Sequence, residues 1–191
     1  MPTDEPKENA ASTDRTPTEL REQGLAAYRA ERWPEAVEAV GRAAEAFAAA
    51  GDRQAAAEMK NNLCVVHLAQ EDWPAALRAV TGTPETFHDL GDRLREAQAL
   101  ANLAASHEGA GHVPEAMELF EKAIDLFGEL GEKENRAACF KKLAGLQLKH
   151  GQQMQAMASM QSGLDLSPTL SAREKALQAG LNQALKLIKR G

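Results

Sequence analysis

Apolar residues along this chain recur every three or four positions in long runs, and short clusters of glycine, proline and acidic residues interrupt them. That spacing predicts a succession of amphipathic helices. The pattern also repeats as a block. Gly51-Asp52-Arg53, Gly91-Asp92-Arg93 and Gly131-Glu132-Lys133 follow one another at a period of 40 residues, and so do Phe47, Phe87 and Phe127, and Pro34, Pro74 and Pro114. Three independent markers sharing one period identify a helical repeat protein. The cleanest copy is residues 91–130, two helices joined by a short glycine-rich turn.

Local signals set the expected boundaries. Thr16-Pro17-Thr18-Glu19 is a capping box with proline at the first helical position, opening a helix to about Glu31. Trp33-Pro34 starts its partner, which ends near Ala50 with Gly51 as its C-cap. Asp52 caps the next helix, to about Gln70, and Trp73-Pro74 starts the one after. Thr81-Gly82-Thr83-Pro84 falls inside that helix, where proline costs about 3 kcal/mol. Phe87 and Gly91 nevertheless keep their register, which predicts a kink or short break with Thr83 capping the restarted turn. Two meanings stay open for it: tolerated drift, or a bend that opens the surface to a ligand. Ser167-Pro168 stops the fourth unit, and Ser171-Ala172-Arg173-Glu174 is a second capping box, opening a last helix to about Lys189. Its Leu177, Leu181, Ala184, Leu185 and Ile188 form one apolar face, suited to covering the end of a solenoid. The expected organisation is a disordered tail over residues 1–15, four units at about 16–50, 51–90, 91–130 and 131–166, and a capping helix within 167–191.

Within each unit a small residue is followed twelve positions later by alanine: Gly24 and Ala36, Cys64 and Ala76, Ala104 and Ala116, Ala144 and Ala156. A large apolar residue comes next, at Val40, Val80, Phe120 or Met160, and then Ala43, Thr83, Ala123 or Gly163. This arrangement resembles the tetratricopeptide repeat (TPR), including its opening at Leu100-x-x-Leu103-Ala104 and Phe140-x-x-Leu143-Ala144. The length of the units is similar to those of kinesin light chains and of the G-protein-signalling modulators that orient the mitotic spindle. The usual tyrosine is replaced by Ala27, His67, His107 and Gln147, and Gln23 stands where leucine is usual. The resemblance implies an all-α fold, a right-handed superhelix of four helical hairpins with the capping helix, and a role in binding proteins.

Composition narrows the function. Hydrophobic residues make up 43% of the 191 residues but aromatics only 4%, so alanine supplies much of the core. The formal net charge of −6 argues against nucleic acid as partner. The charge is also uneven: residues 131–191 carry ten Lys/Arg against four Asp/Glu, and residues 1–130 carry twelve against twenty-four. An acidic front and basic rear could pair between copies, so a structural scaffold assembled head to tail is the alternative reading. Cys64 and Cys139 have no metal-ligand spacing and are expected as small buried hydrophobes in a reducing compartment. No apolar run is long enough to span a membrane and the N-terminus lacks a leader-like core, so a cytoplasmic location without membrane partners is expected.

Candidate chemistry lies on the first helix of each pair, which in the resembled fold lines a concave groove. One column holds Glu22, Asn62, Asn102 and Lys142, and its neighbour Arg21, Asn61, Ala101 and Lys141. Asparagine is a mediocre helix former. Its amide both donates and accepts, so a column of them can bond an extended peptide backbone whatever its side chains. Lys141 and Lys142 beside it would attract a carboxylate. The expected peptide-binding residues are therefore Arg21, Asn61, Asn62, Asn102, Lys141 and Lys142, with an acidic peptide as ligand. His67 and His107, one period apart, are expected as buried histidines bonded to backbone or water, with no companion ligands for a metal. No nucleophile elbow, phosphate loop or HExxH is present, so the chain reads as a cytoplasmic adaptor and not an enzyme, with no cofactor.

Overall fold

The structure is a computed structural model and describes residues 15–167 and 169–188. Residues 1–14 of the expected tail, the stop at Pro168 and the basic Lys189 and Arg190 lie outside the described residues, whereas Arg15 is described and its guanidinium donates to Gln23 Oε1 at 2.6 Å. Helices α1 (Pro17–Arg29) and α2 (Trp33–Ala49) form the first pair, and α3 (Arg53–Ala69) pairs with α4 (Trp73–Val80) and α5 (Thr83–Asp89). The third pair is α6 (Arg93–Gly109) with α7 (Val113–Leu130), and the fourth is α8 (Lys133–Lys149) with α9 (Gln153–Leu166). Helix α10 (Ala172–Ile188) follows. The described residues are all-α, in consecutive packed pairs, as the hydrophobic period predicts.

Capping explains the starts. Thr16 accepts from the Glu19 N–H while the Glu19 carboxylate takes the Thr16 N–H at 2.7 Å, completing the first box. Asp52, Asp72 and Asp92 each accept from the N–H three residues on, at 2.9–3.1 Å, satisfying donors that α3, α4 and α6 leave open. Ser171 and Glu174 form the last box at 2.7 Å between Oγ and Oε2.

Packing explains the spacing. Ala36, Cys64, Ala76, Ala104 and Ala116 are fully buried, and Gly24 lies so close to Val40 that a Cβ there would collide with the valine side chain. These small residues let each pair approach closely; Phe87, Phe120 and Phe127 fill the space that remains. Both cysteines are buried as expected, and burial pushes each thiol up to about 11. The Ser106 hydroxyl donates to the Asn102 carbonyl at 2.8 Å, which leaves the Cys64 thiol to donate to Ser106 Oγ at 3.3 Å.

The break in the second unit is real, but its cap differs from expectation. Helix α4 ends at Val80, and α5 begins after Gly82, whose φ of 80° makes glycine the N-cap. Thr83 is 1% exposed and its hydroxyl donates to the Val80 carbonyl at 2.7 Å, so it ties the restarted helix to the old one instead of capping it. Thr81 leaves the helix with ψ of 129°, and Pro84, in the first turn of α5, needs no intrahelical donor.

The turn inside each pair shows a second departure. Helix α1 stops at Arg29, and Glu31 sits at φ 56°; Glu71 does the same in the next unit. The equivalent positions of the last two units are Gly111 at φ 80° and Gly151 at φ 73°. A non-glycine side chain in the left-handed region costs about 1–2 kcal/mol. Glu31→Gly and Glu71→Gly are each expected to raise stability by about 1 kcal/mol, read as an upward shift of the denaturant midpoint. No gain from either would mean that the glutamates are not strained.

Candidate peptide-binding surface

The first helices α3, α6 and α8 carry a connected set of polar side chains. Asn102 Nδ2 donates to Asn61 Oδ1 at 3.0 Å across α6 and α3. Arg95 approaches Glu58 of α3 to 3.5 Å, and it also bonds Asp92 at 2.7 Å. Burial alone would raise the Asp92 carboxyl, but the Arg95 backbone N–H and guanidinium, with help from Gln54, hold it below the ordinary value. Lys142 of α8 reaches Glu108 of α6 at 3.2 Å. Every step between these three helices is thus bridged by a polar pair.

Two hollows lie on this surface. One, of about 280 Å³, sits between α3 and α6 and is lined by Glu58, Asn61, Asn62, Arg95 and Gln98. The other, of about 70 Å³, lies between α1 and α3 and is lined by Leu25, Tyr28, Asn62 and Val65. Asn62 borders both. It is half-buried, and no hydrogen bond from its amide to another described residue is found. Asn61 and Asn102 use one donor and one acceptor on each other, leaving an NH₂ and a carbonyl oxygen open to a ligand.

The sequence-predicted residues therefore do not act as one set. Asn61, Asn62 and Asn102 come together. Asn61 and Asn102 pair diagonally, from neighbouring columns and not within one. Arg21 is half-buried on α1. The two lysines separate: Lys142 points to Glu108, whereas Lys141 lines a cleft shared by α8, α9 and α10. Adjacent helix positions differ by about 100° in direction, so neighbours in sequence need not share a face. Glu58, Arg95 and Gln98 line the hollow beside Asn61 and Asn62 and are absent from the expected set. Their signal was present, since Glu58 and Gln98 stand one period apart on first helices.

His67 and His107 are half-buried, not buried as expected. Burial lowers the His67 pKa against the opposing pull of the Asp72 carboxylate. For His107 burial acts first and His112 adds to it, the two Nδ1 atoms standing 3.3 Å apart. Among the described residues no group of three or more His, Cys, Asp or Glu is placed to hold a metal ion. Among the same residues no helix is long and apolar enough to cross a membrane.

Comparison with known proteins places the architecture. A family model for SNAP, soluble NSF attachment protein, matches residues 68–162. No curated protein matches the chain. Among solved structures, TPR-like repeats ascribed to a kinesin light chain of Podosopora anserina superpose with a TM-score of 0.71 at 19% identity, covering 92% of this chain and 91% of that one. BtubC (BKLC) from P. vanneervenii gives 0.70 at 21% identity over 87% of this chain and 64% of its own. A MamA RS-1 double mutant gives 0.62 at 16% identity over 78% of this chain and 74% of that one. At identities this low, the superpositions show a shared fold and nothing more.

Proposed function

Since the chain is a TPR-like helical-repeat protein, of a kind that generally serves protein–protein interaction, we propose that it is a non-catalytic adaptor holding a short extended, acidic peptide along α1, α3, α6 and α8. The observation that carries this reading is Asn62, a half-buried amide bordering both hollows of the first-helix surface. Asparagine has no packing advantage in a helix, and its amide matches the alternating donors and acceptors of an extended backbone. Asn61 and Asn102 extend the same chemistry through the groups their mutual bond leaves open. Lys142 supplies the anionic preference. Its pair with Glu108 is exposed, with the lysine side chain 57% accessible, and such pairs are worth little, so a ligand carboxylate can compete for it. Specificity would then come from a few anchors on a preformed surface.

The test is an array of acidic peptides, followed by titration of the best binders against Asn102→Ala combined with Lys142→Glu. Each lost hydrogen bond removes about 1 kcal/mol, so the double variant should bind roughly ten-fold or more weakly. Its helical content and thermal midpoint should stay close to those of the parent. Undiminished binding by a folded double variant would refute the groove.

A further inference from the structure

The junction between α9 and α10 is open. Helix α10 keeps the repeat register: Arg173 follows Arg53, Arg93 and Lys133 at the period of 40. By that register α10 is the first helix of a further unit. Elsewhere the meeting point of a pair with the next first helix is filled by the recurring phenylalanine. Phe87 packs against Ala57 of α3 and Ala99 of α6, and all three are buried. Phe127 is 2% exposed in a cluster with Ala97 and Cys139. The corresponding residue after α9 is Ser167. Helix α9 has already ended at Leu166, and Ala179, the counterpart of Ala99, is exposed.

The unfilled junction is a cleft of about 560 Å³ between α8, α9 and α10. Ala137, Met160, Leu164 and Leu177 give it an apolar floor, and Leu177 is 43% exposed. Lys141 and Arg173 stand at its rim, and neither has an ion-pair partner among the described residues. Glu134 and Glu174 share that rim; the Glu174 carboxylate accepts from the Ser171 N–H at 2.9 Å and Oγ at 2.7 Å, and those bonds, with the Lys141 charge nearby, hold its pKa below the ordinary value, so Arg173 is the cation with no charged neighbour of this kind among the described residues. Residues 131–184 carry seven Lys/Arg against four Asp/Glu, an excess of three positive charges.

We propose that this cleft is a second docking slot, for a partner peptide that inserts an aromatic side chain where the repeat lacks its phenylalanine and presents carboxylates to Lys141 and Arg173. It stands apart from the groove on the first helices, because its lining shares no residue with the hollows beside Asn62. The inserted ring replaces the missing internal filler and removes apolar surface from water. The two cations select against basic sequences around it.

The experiment titrates an N-acetylated Glu-Phe-Asp peptide, and a Lys-Phe-Lys counterpart, into the isotope-labelled whole chain while amide resonances are followed. The acidic peptide is expected to shift Ala137, Lys141, Leu164 and Leu177, and the basic one to leave them in place. Ser167→Phe should fill the slot from within, raising the thermal midpoint and weakening the acidic peptide roughly ten-fold or more. Ala138→Leu, on the cleft wall, gives the same reading should the first variant fold poorly. Arg173→Glu should weaken binding several-fold, and Asn102→Ala with Lys142→Glu should leave it unchanged, so failure of the groove would not count against the cleft. Equal shifts with both peptides, shifts confined to Asn62 and Asn102, or full binding by a stabilised Ser167→Phe chain would overturn the proposal.

Discussion

Phe87→Ala is expected to destabilise the chain by about 3–5 kcal/mol, the range for removing a fully buried aromatic ring from a core that cannot collapse around the void. Phe87 is 0% exposed and lies on α5, the short helix restarted after Gly82. Its ring is held between Ala57 of α3 and Ala99 of α6, so it joins the second unit to the third. Neither alanine has a side chain long enough to fill the space left behind. A helical-repeat chain is held together by interfaces between neighbours, and weakening one uncouples the units on its two sides. Denaturant unfolding of Phe87→Ala should therefore show a lower midpoint and a separation into two transitions. Phe47→Ala is the control: Phe47 is half-buried and its loss should cost less. A single transition at the parental midpoint would contradict this account of the junction.

The second large effect is expected at Gly109. Alanine is a better helix former than glycine by about 1 kcal/mol, so propensity alone predicts that Gly109→Ala stabilises α6. The tertiary structure predicts the opposite. A Cβ at Gly109 would run into the Trp73 indole, striking several carbons of the ring at once. Overpacking of this kind costs about 1–3 kcal/mol and outweighs the propensity gain. Trp73 begins α4 in the preceding pair, and its half-buried ring covers the end of α6. The expected result is a lower unfolding midpoint for Gly109→Ala and its partial recovery on a Trp73→Leu background, where the smaller side chain makes room. Were Gly109→Ala to raise the midpoint, the indole would have to be free to move aside.

The two cases separate what a sequence of this kind carries from what it leaves to the fold. The period of 40, the caps at Thr16, Asp52 and Ser171, and the pairing of Cys64 with Ala76 or Ala104 with Ala116 were legible along the chain. Each is either local, because a cap bonds its own helix three residues on, or repeated, because every unit packs under the same spatial demand. Features that occur once and depend on a neighbouring element were not legible. Gly109 belongs to α6 and not to the turn that follows it, and only the position of Trp73 explains why the last residue of that helix has no side chain. Thr83 looked like a cap, but the left-handed backbone of Gly82 took that place and freed the threonine to bond back to Val80.

The candidate site divides along the same line. Asn61, Asn62 and Asn102 stood out in the sequence because asparagine recurring in a helix lacks a propensity reason. The diagonal bond from Asn102 to Asn61 depends on the stagger between α3 and α6, which no column of equivalent residues records. Lys141 and Lys142 are adjacent in the chain, yet one helical step of about 100° sends them to different surfaces. The sequence by itself determined the repeating helices, their caps and the small residues at their closest approach, since those follow from local bonding and a regular period. Tertiary structure alone decided which polar side chains meet, and where a missing phenylalanine leaves a cleft, because both depend on distances between helices that no single helix specifies.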